Sequence, residues 1–117
     1  STLLGGTYVA DGTDLSSLAP GIHGLPNNTT TDMHAPETTW SPLMFVLGSQ
    51  DTTTGSDGYP VGTYFQGFLN WEGELWVRRR KWDAWGDWMK MYSTKNVIYS
   101  STEPSYPSTG TIWLKPV

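Results

Sequence analysis

The chain has 117 residues, enough for one domain with a modest core, and a formal net charge of −4 from seven basic and eleven acidic residues. Four of the seven cations form the single run Arg78–Lys81, so the chain lacks the distributed positive charge a nucleic-acid partner requires, and no nucleic acid is expected. It has no cysteine, which excludes disulfides, thiolate nucleophiles and cysteine-based zinc or iron–sulfur sites.

No apolar run approaches the roughly 18 residues of a membrane-spanning helix, so membrane insertion is not expected either. Neither a signal peptide nor an initiator Met opens the sequence, and the chain is expected to begin inside a longer protein. Seven Trp and six Tyr, with only 15% charged residues, imply broad aromatic faces that are buried, bind something, or do both.

In chain order, Gly, Pro, Ser and Thr recur every few residues and the apolar segments between them are short, which predicts an all-β fold with many turns. Strands are predicted over 6–10, 21–25, 43–49, 62–71, 74–80, 87–92 and 111–115. One helical turn is predicted between Asp14 and Leu18, with Asp14 as its N-cap and Pro20-Gly21 ending it. Polar loops at 26–40 and 49–60, and a proline-stiffened one at 100–110, are long for so small a domain and are candidate functional segments.

The strongest local signal is the hairpin "YFQGFLNWEGELWVRRR". With Glu72-Gly73 as a two-residue turn, Trp71 opposes Glu74, Leu69 opposes Trp76 and Phe68 opposes Val77. One face then carries Phe65, Leu69, Trp71 and Trp76, and the other Tyr64, Phe68, Leu75 and Val77. A half-solvated hairpin alternates apolar with polar residues; this one is apolar on both faces. A second chain is therefore expected to cover one face, the alternative being a two-layer monomer with this hairpin at its centre. In "WGDW" a second tight turn at Gly86-Asp87 would set Trp85 opposite Trp88, leaving Arg78–Lys81 on the solvent side of a strand and its end.

Candidate chemistry is sparse. His23 and His34 lack the spacing and the neighbours of a metal site, so no metal or cofactor is expected. The pairs Glu72/Glu74, Asp83/Asp87 and Asp11/Asp14 read as solvated turn carboxylates, and no base–nucleophile pair can be named, so the chain is not expected to be an enzyme. The stretch 49–58 does not keep the acidic spacing of an EF-hand, and Asn27 and Asn28 each open an N-x-T sequon.

The segment from Gln66 through Arg79, followed by "WGDWMKM" at 85–91, resembles the terminal segment of tail-fibre proteins of tailed bacteriophages and prophages. The earlier stretch "GTDLSSLAPGIHGLPNNTTTDMHAPETTWSPLMFVLGS" is similar to the module that precedes it there, with Asp14, Leu15, Leu18, Pro20, Gly21, Pro36 and Val46 in the matching places. His23 stands where an aromatic is common, and "IYSSTEPSYPSTGTIWLKPV" resembles the closing segment. The likeness spans about residues 12–115. It implies a homotrimeric fibre tip on the virion that attaches to a host-surface polysaccharide or outer-membrane protein. The fold expected is a small antiparallel β-sandwich-like domain with long loops.

The resemblance assigns no receptor contacts, because tip loops diverge. From the residues themselves, the candidate receptor-binding groups are the loop aromatics and their polar neighbours: Trp40, Tyr59 beside Asp57, Tyr106, and the corner of Trp82 and Asp83 next to Arg80. The rival reading is a monomeric carbohydrate-binding module of a secreted glycosidase. A tailspike-like depolymerase fragment would instead need a cleft with paired acids among Glu72, Glu74, Asp83 and Asp87.

Overall fold

The computed structural model describes residues 7–49, 53–93, 97–105 and 111–116. The chain is all-β. Its strands are β1 (Thr7–Tyr8), β2 (Gly21–Gly24), β3 (Asn28–Thr29), β4 (Thr39–Trp40), β5 (Leu43–Gly48), β6 (Gly62–Leu69), β7 (Leu75–Trp82), β8 (Ala84–Trp85), β9 (Met89–Met91), β10 (Val97–Tyr99) and β11 (Ile112–Leu114). Each predicted segment holds a strand, while β3, β4, β8 and β10 lie outside the predicted segments. The predicted helical turn is a 3₁₀ turn over Leu15–Ser17, and Asp14 caps it by accepting a hydrogen bond from the Ser16 backbone N–H.

Seven strands form one sheet in the order β1-β2-β5-β6-β7-β8, with β9 also on β7; all pairs are antiparallel except β1 with β2. A β3–β4 ribbon and a parallel β10–β11 pair stand apart from it. One face of the sheet, called inner here, carries Met44, Val46, Tyr64 and Phe68, covered by Leu15, Leu25, Met33 and Ala35 from the intervening turns and loops. Trp76, Trp85 and Trp88 close this core along its side. It contains few large residues, as expected for a single sheet covered mainly by loops.

The central hairpin is shifted by one residue from the predicted register: Leu69 pairs with Leu75, Phe68 with Trp76 and Gly67 with Val77. The cause is a three-residue loop, Trp71–Gly73. Gly73 adopts φ 83°, its N–H reaches the Asn70 carbonyl, and the Asn70 side chain accepts from the backbone N–H groups of Glu72 and Glu74. Because side chains alternate with a period of two, the slip reassigns a whole strand's faces. Trp76 now shares the inner face with Phe68, and Leu75 and Val77 lie on the outer face with Phe65 and Leu69.

A second correction concerns 82–88. The chain reverses at Trp82-Asp83, because Lys81 pairs with Ala84 and Arg80 with Trp85. Farther along, Val77 pairs with Met89, so β8 and β9 run along the same edge of β7 with one extra residue between them. This bulge at 86–88, with the Gly86 N–H bonded to the Arg79 carbonyl, changes the side-chain parity. Trp85 and Trp88 therefore both face inward instead of pairing across a turn. They stack on Arg78 from 4.3 and 4.6 Å, which overturns the expected solvent-facing role of Arg78 and Arg80.

The outer face has no cover from the described residues. Ile22, Leu43, Leu47, Met89 and Met91 are 49–62% exposed there, beside half-buried Phe45, Phe65, Leu69 and Leu75. At its centre the Phe45 ring lies across Gly67, where an added Cβ would come within 2.1 Å of the ring, so glycine lets the aromatic lie flat on the sheet.

Candidate functional site

The polar chemistry of the inner face is organised by two arginines that lie in phase with Trp76 along β7. Arg80 is 1% exposed and holds Asp57 in a bidentate ion pair at 2.5 and 2.6 Å, while also donating to the Pro60 and Tyr59 carbonyls. The loop 53–61 is thereby closed against the sheet. The arginine holds the Asp57 carboxyl below its usual range, and the same hydrogen bonds raise the guanidinium further.

Arg78, 5% exposed, donates to Gln66 Oε1 (2.7 Å) and Ser16 Oγ (2.9 Å) between the two indoles. Burial lowers its pKa to about 10, which still leaves it charged at neutral pH. Its positive charge is carried by π faces and by a remote attraction to Asp14, an arrangement suited to a delocalised, weakly hydrated guanidinium.

Asp14 ties three segments together. Its Oδ1 meets His34 Nδ1 at 2.6 Å and the Ser16 N–H at 2.9 Å, and its Oδ2 accepts from the Tyr59 hydroxyl. Trp88 Nε1 adds a bond to the His34 carbonyl at 2.8 Å, so the His34 loop is pinned to the sheet edge as well. Burial pushes the Asp14 carboxyl up, but the hydrogen bonds from His34, Tyr59 and Ser16 outweigh it and leave the group below its usual value. A depressed carboxylate stabilises the fold above its unfolded pKa of about 3.9, and the contribution is lost as pH falls through the lower folded value. Thermal melting from pH 6 down to pH 2.5 is therefore expected to show a fall in stability below about pH 4. An Asp14→Asn variant, already less stable at neutral pH, should lose less over that interval. Parallel curves for the two proteins would remove Asp14 from this role.

The candidate residues fall into distinct places. Asp57, Tyr59, Arg80 and Asp83 come together around loop 53–61: Ser56 Oγ donates to Asp83 Oδ2 at 3.1 Å, and the Gly55 Cβ position would touch both Arg80 and Asp83. Within that group Arg80 is turned inward, and the half-buried Tyr59 spends its hydroxyl on Asp14, so both hold the loop. Trp82 projects from the adjoining corner, 62% exposed. Trp40 is 64% exposed on the β3–β4 ribbon, paired with Asn28 and sharing no hydrogen-bonded element with this corner. Tyr106 lies outside the described residues. Beyond the corner, the bulge opens a shallow concavity of about 410 Å³ lined by Arg79, Gly86, Asp87 and Met89.

Sequence reasoning missed Arg78, Gln66 and Ser16 as one buried unit and His34 as a partner of Asp14. The in-phase spacing of Trp76, Arg78 and Arg80 was the available signal, hidden by the adjacent Arg79 and Lys81, which face outward. No family model, no curated protein and no solved structure matches the chain.

Proposed function

We propose that this chain is the receptor-binding tip of a bacteriophage or prophage tail fibre, assembled as a homotrimer and attaching the particle to a polysaccharide or outer-membrane protein of the host surface without catalysis. The observation that carries the reading is the apolar face of the seven-stranded sheet that the described residues leave uncovered. Monomeric domains rarely leave a contiguous patch like that of Ile22, Leu43, Leu47, Met89 and Met91 in water. Packing of this face on the equivalent faces of two other copies would bury it around a common axis, in keeping with the homotrimer that the tail-fibre resemblance implies. A trimer presents three copies of each loop, so weak individual contacts add through avidity.

The reading is tested by incubating fluorescently labelled protein with a panel of bacterial strains and scoring cell-surface retention. Saturable binding to some strains, abolished by prior removal of their surface polysaccharide or by protease shaving, is the expected result. Equal, unsaturable retention across the panel, or none, overturns it. Catalysis is checked in the same samples: release of oligosaccharide that stops in one of the Glu72→Gln, Glu74→Gln, Asp83→Asn or Asp87→Asn variants would favour a depolymerase fragment instead.

A further inference from the structure

Trp82 is the first residue of the two-residue β7–β8 turn and has φ 60°. Two-residue hairpins do require positive φ at this position, but asparagine, aspartate or glycine normally supplies it; a bulky aromatic there is a backbone outlier. Nor does the indole repay the strain by packing, since it is 62% exposed at the corner. A residue that costs backbone energy and leaves its large apolar side chain in water is poorly explained by folding alone, and such outliers concentrate at ligand contacts.

The surroundings indicate the ligand. Asp83 follows immediately, its carboxylate held by Ser56 Oγ at 3.1 Å, and exposed Lys81 precedes it. An indole face with hydrogen-bonding groups at its edge matches a hexopyranose, whose C–H face stacks on the ring while its hydroxyls bond carboxylate and hydroxyl oxygens. A protein hot spot would call for an apolar surround that excludes water, and Lys81, Ser56 and Asp83 do not form one. We infer that the Trp82–Asp83 corner is a saccharide subsite that stacks a neutral hexose unit of a surface glycan on the Trp82 indole. This rests on the attachment reading above.

The test compares wild type, Trp82→Asn and Asp83→Asn on an array of bacterial capsule and O-antigen fragments, with melting temperatures measured alongside. Asparagine fits the positive-φ position, so Trp82→Asn is expected to melt at the wild-type temperature or about 4 °C above it, and to lose at least about tenfold in glycan affinity. Asp83→Asn should lose less. Unchanged glycan binding by Trp82→Asn, or a marked drop in its melting temperature, overturns the subsite. Wild-type binding to cells that survives polysaccharide removal but not protease shaving, with no signal on the array, also overturns the subsite while leaving attachment standing. Binding to neither cells nor array removes the attachment reading itself.

Discussion

Replacing Leu47 with Asp is expected to convert the proposed trimer into single chains of 13.0 kDa without unfolding them. Leu47 is 62% exposed in the isolated chain and sits opposite Phe65 on the outer face, so the substitution removes little from the monomer's own packing. In an assembly that buries this face, each copy loses roughly 1–2 kcal/mol of side-chain burial and gains a carboxylate in an apolar contact. A trimer suffers that loss three times, enough to weaken association by several orders of magnitude. Leu47→Ala should act in the same direction with a smaller effect. Light scattering separates association from folding, and circular dichroism of the dissociated variant should match the wild type. A Leu47→Asp protein with wild-type mass would show that the outer face is not the contact.

The second large effect is an asymmetry within the Arg80–Asp57 pair. The Arg80 side chain is 0% exposed and that of Asp57 is 32% exposed, so the two truncations leave different residues behind. Asp57→Ala leaves a buried guanidinium without its carboxylate, with the Pro60 and Tyr59 carbonyls as its remaining acceptors among the described residues, whereas Arg80→Met releases a carboxylate that water can reach. Arg80→Met is expected to lower stability by about 1–3 kcal/mol through its lost hydrogen bonds, and Asp57→Ala should be the more damaging of the two. Denaturant midpoints order the variants, and limited proteolysis should nick loop 53–61 faster in both. If Arg80→Met proves the costlier, the guanidinium acts mainly by packing beside Trp85 and Tyr59 and the ion pair is secondary. Because Ser56 on this loop supports Asp83, either change should also weaken whatever the corner binds.

The positions of seven of the eleven strands were legible in the sequence because each lies in a short apolar burst between turn residues, and the Asp14 cap was legible because its chemistry is local. Register was not. The pattern "NWEGE" fits a two- or a three-residue turn, and the choice depends on the Asn70 side chain binding the backbone N–H groups of Glu72 and Glu74. The same limit applies at "WGDW": one extra residue at the bulge decides whether Trp85 and Trp88 share a face, and no local preference encodes it.

The apolar character of both hairpin faces was legible despite the slipped register. Phe, Leu, Trp and Val occupy both parities of β6 and β7, so either register leaves a hydrophobic outer surface. A run of four cations, by contrast, reads as a solvated face. Burial of two of them depends on partners far along the chain: Asp57, 23 residues before Arg80, and Ser16, 62 residues before Arg78. Of the candidate site, Asp57 with Tyr59 and the Trp82–Asp83 corner with Arg80 were each named from the sequence, but their meeting around loop 53–61 was not legible, because 23 residues separate Asp57 from Arg80. The inward turn of Arg80 within that cluster follows from strand parity, which the shifted hairpin register sets.

The central claim is that the outer face of the sheet is buried between copies of this chain, and the solution mass tests it most directly. Light scattering after size exclusion, at micromolar and then nanomolar protein, should give three times the 13.0 kDa chain mass at both concentrations. A mass of 13.0 kDa at every concentration would contradict the account, leaving Ile22, Leu43, Leu47, Met89 and Met91 in water and favouring the monomeric carbohydrate-binding module.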